Sequence, residues 1–140
     1  MKVFKIILLA LTIMFSLNSF AANSKEKSAE SFAYYYYQKK KFSRAIDEYK
    51  NILKGDPRNF KARYNLGCLY AATKNYPSAI HEFKIILKCK SSLKNNALYN
   101  LSVVYGKYLK DEKTALKYYN KFKELAKTQE IKNKQPSAIK

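Results

Sequence analysis

Apolar residues recur along this chain at helical spacing, and they do so in blocks. Ala45, Tyr49, Ile52 and Leu53 make one stripe; Ala79, Phe83, Ile86 and Leu87 make another. Before each stripe lies a segment in which a small residue sits among large ones: Ala33 ahead of Tyr36, and Gly67 ahead of Tyr70. Ser102 ahead of Tyr105 repeats the arrangement, and Ala115 with Tyr119 follows it. The pattern predicts six main helices in three antiparallel pairs between Ala29 and Ile131. No strand signal competes. The small residues should let the paired helices approach closely, with Ala45, Ala79 and Ala115 facing them. The large residues should fill the space between, pairing Tyr36 with Tyr49, Tyr70 with Phe83 and Tyr105 with Tyr119. Tyr70 is expected to be largely buried. Pro77 suits a first helical turn, where its missing N–H costs nothing. Lys54-Gly55-Asp56-Pro57 reads as a helix stop, with Gly55 left-handed.

The blocks are copies of one unit. Tyr64-Asn-Leu-Gly-Cys-Leu-Tyr70 returns 35 residues later as Tyr99-Asn-Leu-Ser-Val-Val-Tyr105. Phe32-Ala33-x-x-Tyr36 matches Leu66-Gly67-x-x-Tyr70 and Leu101-Ser102-x-x-Tyr105, and Ala45-x-x-x-Tyr49 matches Ala79-x-x-x-Phe83 and Ala115-x-x-x-Tyr119. A repeat of this period and composition resembles the tetratricopeptide repeat (TPR) family, a set of stacked helix-turn-helix units. The resemblance covers about 29–128, as units at 29–59, 60–93 and 94–128. It departs from the family pattern where Ala29, Arg63 and Leu98 replace the leading Trp. The closing Pro is present only as Pro57, and one extra residue sits in the third unit around Lys110-Asp111-Glu112. The implied fold is all-α, a right-handed superhelical stack of about three repeats. Proteins of this kind hold partners on an extended surface.

Two further segments flank the repeats. Lys2 and Lys5 precede an apolar run from Ile6 to Phe15, and Ser19-Phe20-Ala21 offers small residues at a cleavage site. Residues 1–21 therefore read as a signal peptide and 22–28 as a short linker. The run falls short of the roughly 20 residues a membrane span needs, which favours a cleaved signal over the alternative of an uncleaved anchor. This places the protein outside the cytoplasm, in the periplasm or beyond the cell. Residues 129–140 read as a basic, disordered tail, with fraying beyond about Ile131.

The chain carries a formal +18, or +16 after Lys2 and Lys5 are removed. Nearly all of it is lysine; arginine appears only at 44, 58 and 63. Nucleic-acid sites favour arginine forks, and an exported protein seldom meets nucleic acid, so that class is set aside. A solvated basic surface is the plain reading, and attraction to an anionic membrane or cell-wall surface is the functional one. Catalytic constellations are missing. His81 is the one histidine and falls on an outer face, while Gly55, Gly67 and Gly106 form no phosphate loop. The pairs Asp47-Glu48 and Asp111-Glu112 are adjacent rather than facing. No metal or other cofactor is expected. Cys68 falls on a first helix and Cys89 near the end of a second, wrongly placed for a bridge to each other. Cys89 reads as a small core hydrophobe, Cys68 as a partly exposed thiol.

What remains is a surface. The resemblance implies that first helices line a concave groove. By helical spacing, Tyr34 and Tyr37 share that side with Tyr64, Cys68 and Tyr99, flanked by Lys61, Asn65 and Asn100. Tyrosine joins apolar area to a polar tip and suits recognition, although the same rings serve equally well as packing between first helices. The sequence thus predicts a non-enzymatic adaptor or scaffold of the bacterial cell envelope that binds a peptide or protein segment. The alternatives are a lysine-rich protein held to anionic surfaces, or a small structural subunit of a larger complex. Self-association through the open flank of the last helix stays in view.

Overall fold

The computed structural model describes residues 29–134, together with Thr12, Met14 and Ser16. The cleavage segment, the 22–28 linker and residues 135–140 of the expected tail lie outside the described residues. The chain is all-α, with six helices and no strand among the described residues. They are α1 (29–38), α2 (Phe42–Gly55), α3 (Phe60–Ala72), α4 (Tyr76–Lys88), α5 (Lys94–Val103) and α6 (Glu112–Lys134). No helix among the described residues is long and apolar enough to cross a membrane.

Two compact units divide at Ile52. In the first, Ala33, Ala45, Tyr49 and Ile52 are buried. In the second, α3 packs on α4, α4 on α5, and α5 on α6. Its core gathers Ala79, Phe83 and Ile86 from α4 with Ala97 and Leu101 from α5; Ile80 and Leu87 pack against that cluster. The alanine and large-residue stripes read on α2 and α4 are therefore largely the buried ones, whereas Tyr119 of the stripe on α6 is exposed.

The turns inside the pairs share one construction. Tyr36 accepts from the Lys41 N–H at 2.9 Å, and Tyr70 accepts from the Asn75 N–H at 2.8 Å. Inside each of these lies a shorter bond, Lys40 N–H to Tyr37 and Lys74 N–H to Ala71. This is the Schellman closure, which demands a left-handed residue at its centre. Lysine fills the place: φ is +56° at Lys40 and +64° at Lys74, and +58° at Lys110 in the third pair. Gly55 is not left-handed, since no glycine has positive φ; it is simply the last residue of α2.

The third pair carries its extra residue inside the helix rather than in the loop. Val104–Tyr108 forms one π-helical turn, with the Leu109 N–H reaching back to Val104 at 3.1 Å. A π turn holds one more residue than an α turn, so the insertion is absorbed before the chain reverses. Asp111 still closes on Tyr105 at 2.9 Å, now across six residues instead of five. Tyr105 then stacks on Tyr118 (5.6 Å, 15°), not on Tyr119 as the spacing predicts. Polar caps start α3, α4 and α6. Asn59 accepts from the Ala62 N–H at 2.9 Å, Asn75 from Ser78 at 3.3 Å and Asp111 from Thr114 at 3.0 Å.

Three other expectations change. A Cβ on Gly67 would lie 2.7 Å from the Phe83 ring, so the glycine makes room for that ring and not for Ala79. Gly106, one turn beyond Ser102, is the residue that approaches Ala115: a Cβ there would lie 3.2 Å from the Ala115 methyl. Tyr70 is only half-buried at the edge of the core. And α6 continues to Lys134, through the stretch from 129 read as disordered tail.

Candidate functional site

The residues expected to line a groove do not behave alike. On α3, Lys61, Tyr64, Asn65 and Cys68 fall along one strip by helical spacing. Lys61 is exposed and the other three are half-buried. On α5, Asn100 donates its amide to the Tyr64 hydroxyl at 3.1 Å and also lies 3.5 Å from the Cys68 sulfur. One asparagine thus joins two successive first helices through a hydroxyl and a thiol. The Tyr64 ring also leans on Phe83 (5.9 Å), so this tyrosine packs on the core with one face and holds a polar contact with its tip.

Burial, with Cys68 beside it, pushes the Tyr64 hydroxyl above its ordinary value, while the Asn100 bond pulls the other way. Burial likewise raises the Cys68 thiol, against smaller opposing bonds from Tyr64 and Asn100. Both groups stay protonated at neutral pH, and a protonated, half-buried thiol is a poor nucleophile. The two cysteines are free. Cys89 is half-buried at the end of α4 rather than in the core.

Tyr99 leaves the cluster. It turns toward α6, with its ring 5.6 Å from Phe122, and 49% of it is exposed. In the first unit, Tyr34 and Tyr37 are exposed; Gln38 donates to the Tyr34 hydroxyl, and Tyr37 lies 6.1 Å from Phe42. The structure therefore brings together Tyr64, Cys68 and Asn100 and separates Tyr99 from them. Of the two roles the sequence left open for Tyr64, packing between helices is thus occupied by one face of its ring.

Sequence reasoning missed the ion pair behind this strip. Arg63, read only as a substitute for a missing Trp, donates to Glu82 of α4 at 2.6 Å and to the Pro57 carbonyl at 2.8 Å. Both side chains are largely buried, at 12% and 13% exposure. One signal pointed to it: Arg63 is one of three arginines in a chain whose other basic side chains are nearly all lysine, and a planar fork suits a buried carboxylate. His81 is exposed, and among the described residues no group of three His, Cys, Asp or Glu could hold a metal ion.

This arrangement of hairpins has solved counterparts. The chain shares its fold with MamA. One MamA crystal structure superposes with a TM-score of 0.69 at 17% identity, over 74% of this chain and 60% of that one. MamA AMB-1 gives 0.65 at 23% identity, over 74% and 60%. MamA MSR-1 gives 0.66 at 23%, over 74% and 59%. The chain thus spans about 60% of the length of the MamA structures it matches. No family model matches the chain. No curated protein matches it.

Proposed function

We propose that the protein is a non-enzymatic interaction module, an adaptor or scaffold of the bacterial cell envelope, and that the first-helix side of its second unit receives a peptide or protein segment. One observation carries this reading: the half-exposed strip of Lys61, Tyr64, Asn65 and Cys68, tied to α5 by Asn100. Amides, hydroxyls and a ring edge set on rigid helices suit an extended chain, whose own backbone groups need partners. Lys61 and the net charge of +18 favour an acidic segment. The fold shared with MamA is compatible with a scaffold. The envelope location rests on the composition of residues 1–21.

A photo-crosslinker at Asn65 in intact cells tests the proposal. A discrete captured protein, lost on Asn100→Ala and retained as salt is raised, is the expected result. Capture that survives Asn100→Ala but vanishes with salt, and with neutralisation of Lys84, Lys88, Lys117 and Lys121, would replace the groove with attraction to an anionic surface.

A further inference from the structure

Three alanines fix the register of the second helices. The N–H of Ala45, Ala79 and Ala115 each bonds the carbonyl of the residue following a left-handed lysine. Counting onward from them, Phe83 corresponds to Tyr119, Ile80 to Leu116 and Leu87 to Lys123. On α4 that stripe packs in the cluster shared with α5, and Phe83 is 0% exposed. On α6 the same stripe is open: Leu116 is 59% exposed and Tyr119 is 41% exposed, with the Lys123 ammonium 5.3 Å above the Tyr119 ring.

The tyrosine carbonyls that close the first helices fix the other register. Counting back from Tyr36, Tyr70 and Tyr105, Phe32 corresponds to Leu66 and Leu101, and Tyr35 to Leu69 and Val104. All four counterparts are at most 3% exposed, whereas Phe32 is 57% exposed and Tyr35 52%. Leu101 lies in the cluster between α4 and α5, so Phe32 on α1 and the Leu116–Tyr119 stripe on α6 correspond to opposite sides of that packing, with Tyr35 one turn along α1 from Phe32. α1 has one glutamate and no basic residue within 29–38, and the ammonium of Lys39, which follows it, lies 5.9 Å from the Tyr35 ring; α6 has seven lysines and three glutamates.

We propose that copies of this chain stack head to tail, with the Leu116–Tyr119 stripe of one copy receiving Phe32 and Tyr35 of a second copy. The occupant is a second copy because this chain supplies the matching half itself, through the register of its repeats. The contact is heterologous, so each addition leaves both end faces open and the assembly grows. It stands apart from the groove reading, which uses a different face of α3 and α5.

Complementary variants test it by sedimentation velocity on the full chain. One carries Leu116→Ser and Tyr119→Ser; the other carries Phe32→Ser and Tyr35→Ser. All four positions are exposed, and matching helical circular dichroism confirms that both variants fold. The parent should grow in mass with concentration, while each variant alone should remain a monomer. An equimolar mixture should form a species of twice the monomer mass and nothing larger, because the α1 face of the first meets the α6 face of the second. A monomeric parent overturns the proposal. So does association that survives in both variants, or association lost only on changing α6, which would indicate α6 pairing with itself.

Discussion

The middle hairpin, α3 with α4, and the terminal hairpin, α5 with α6, are written in nearly the same pattern and reach different states. Phe83 is sealed, while Tyr119, its counterpart, is 41% exposed. The alanine before each is at or near the interface in both. The difference lies in the next helix along the chain: α4 has α5 against it, and α6 has no successor among the described residues. A repeat pattern therefore states which residues can be buried, and the neighbouring unit decides which are. Stability in such a stack is a sum of unit and interface terms, and the two hairpins differ by one interface.

The largest break in that comparison should come from truncating the paired aromatics. Phe83→Ala removes a sealed ring and should cost about 3–5 kcal/mol, whereas Tyr119→Ala at an open site should cost about 0.5 kcal/mol or less. Urea unfolding of dilute protein reads both, and equal shifts would mean that the two hairpins bury their aromatics alike. A smaller effect comes from the glycines. Gly67→Ala gains helix propensity but drives a methyl to 2.7 Å from a ring that cannot withdraw, so overpacking wins by about 1–2 kcal/mol. Gly106→Ala, with only the Ala115 methyl at 3.2 Å, should be close to neutral in the same melts.

The smallest difference concerns acid. Asn75 caps α4 with a group that does not titrate, whereas Asp111 caps α6 with one that does. Its bonds from the Thr114 hydroxyl and N–H, aided by Lys113, hold the carboxyl below its ordinary range. The folded value is depressed, so the capping contribution is complete above the unfolded value and is lost as pH falls through the folded one. Amide chemical shifts followed through acid titration should move at Thr114 and not at Ser78. Asp111→Asn should remove the response at Thr114 while keeping the cap.

Much of this was legible. The alanines and aromatics at helical period located the core, because one periodic face per helix is what a hairpin can bury. Gly67 announced a close approach, but not its partner, since spacing along one helix does not say which side chain of the other lies opposite. The left-handed lysines were hidden because lysine has no preference for that backbone; only their recurrence just past each first helix marks them. Tyr64 and Asn100 were both assigned to the first-helix side, but the hydrogen bond between them was not foreseen, because it joins two repeats. Tyr99, the repeat equivalent of Tyr64, could not be told apart from it, because the difference comes from Phe122 on α6.

The π turn at Val104–Tyr108 converts added length into local girth. An extra residue in an α-helix would swing everything after it by about 100° around the axis. Here the backbone widens for one turn, the reversal still forms, and Tyr105 stacks on Tyr118. The hairpin thus tolerates a change of reading length at this one place. Removing a residue between 104 and 108 would return it to the construction of its neighbour, whereas the same deletion in α3 would turn Tyr64 and Asn100 away from one another.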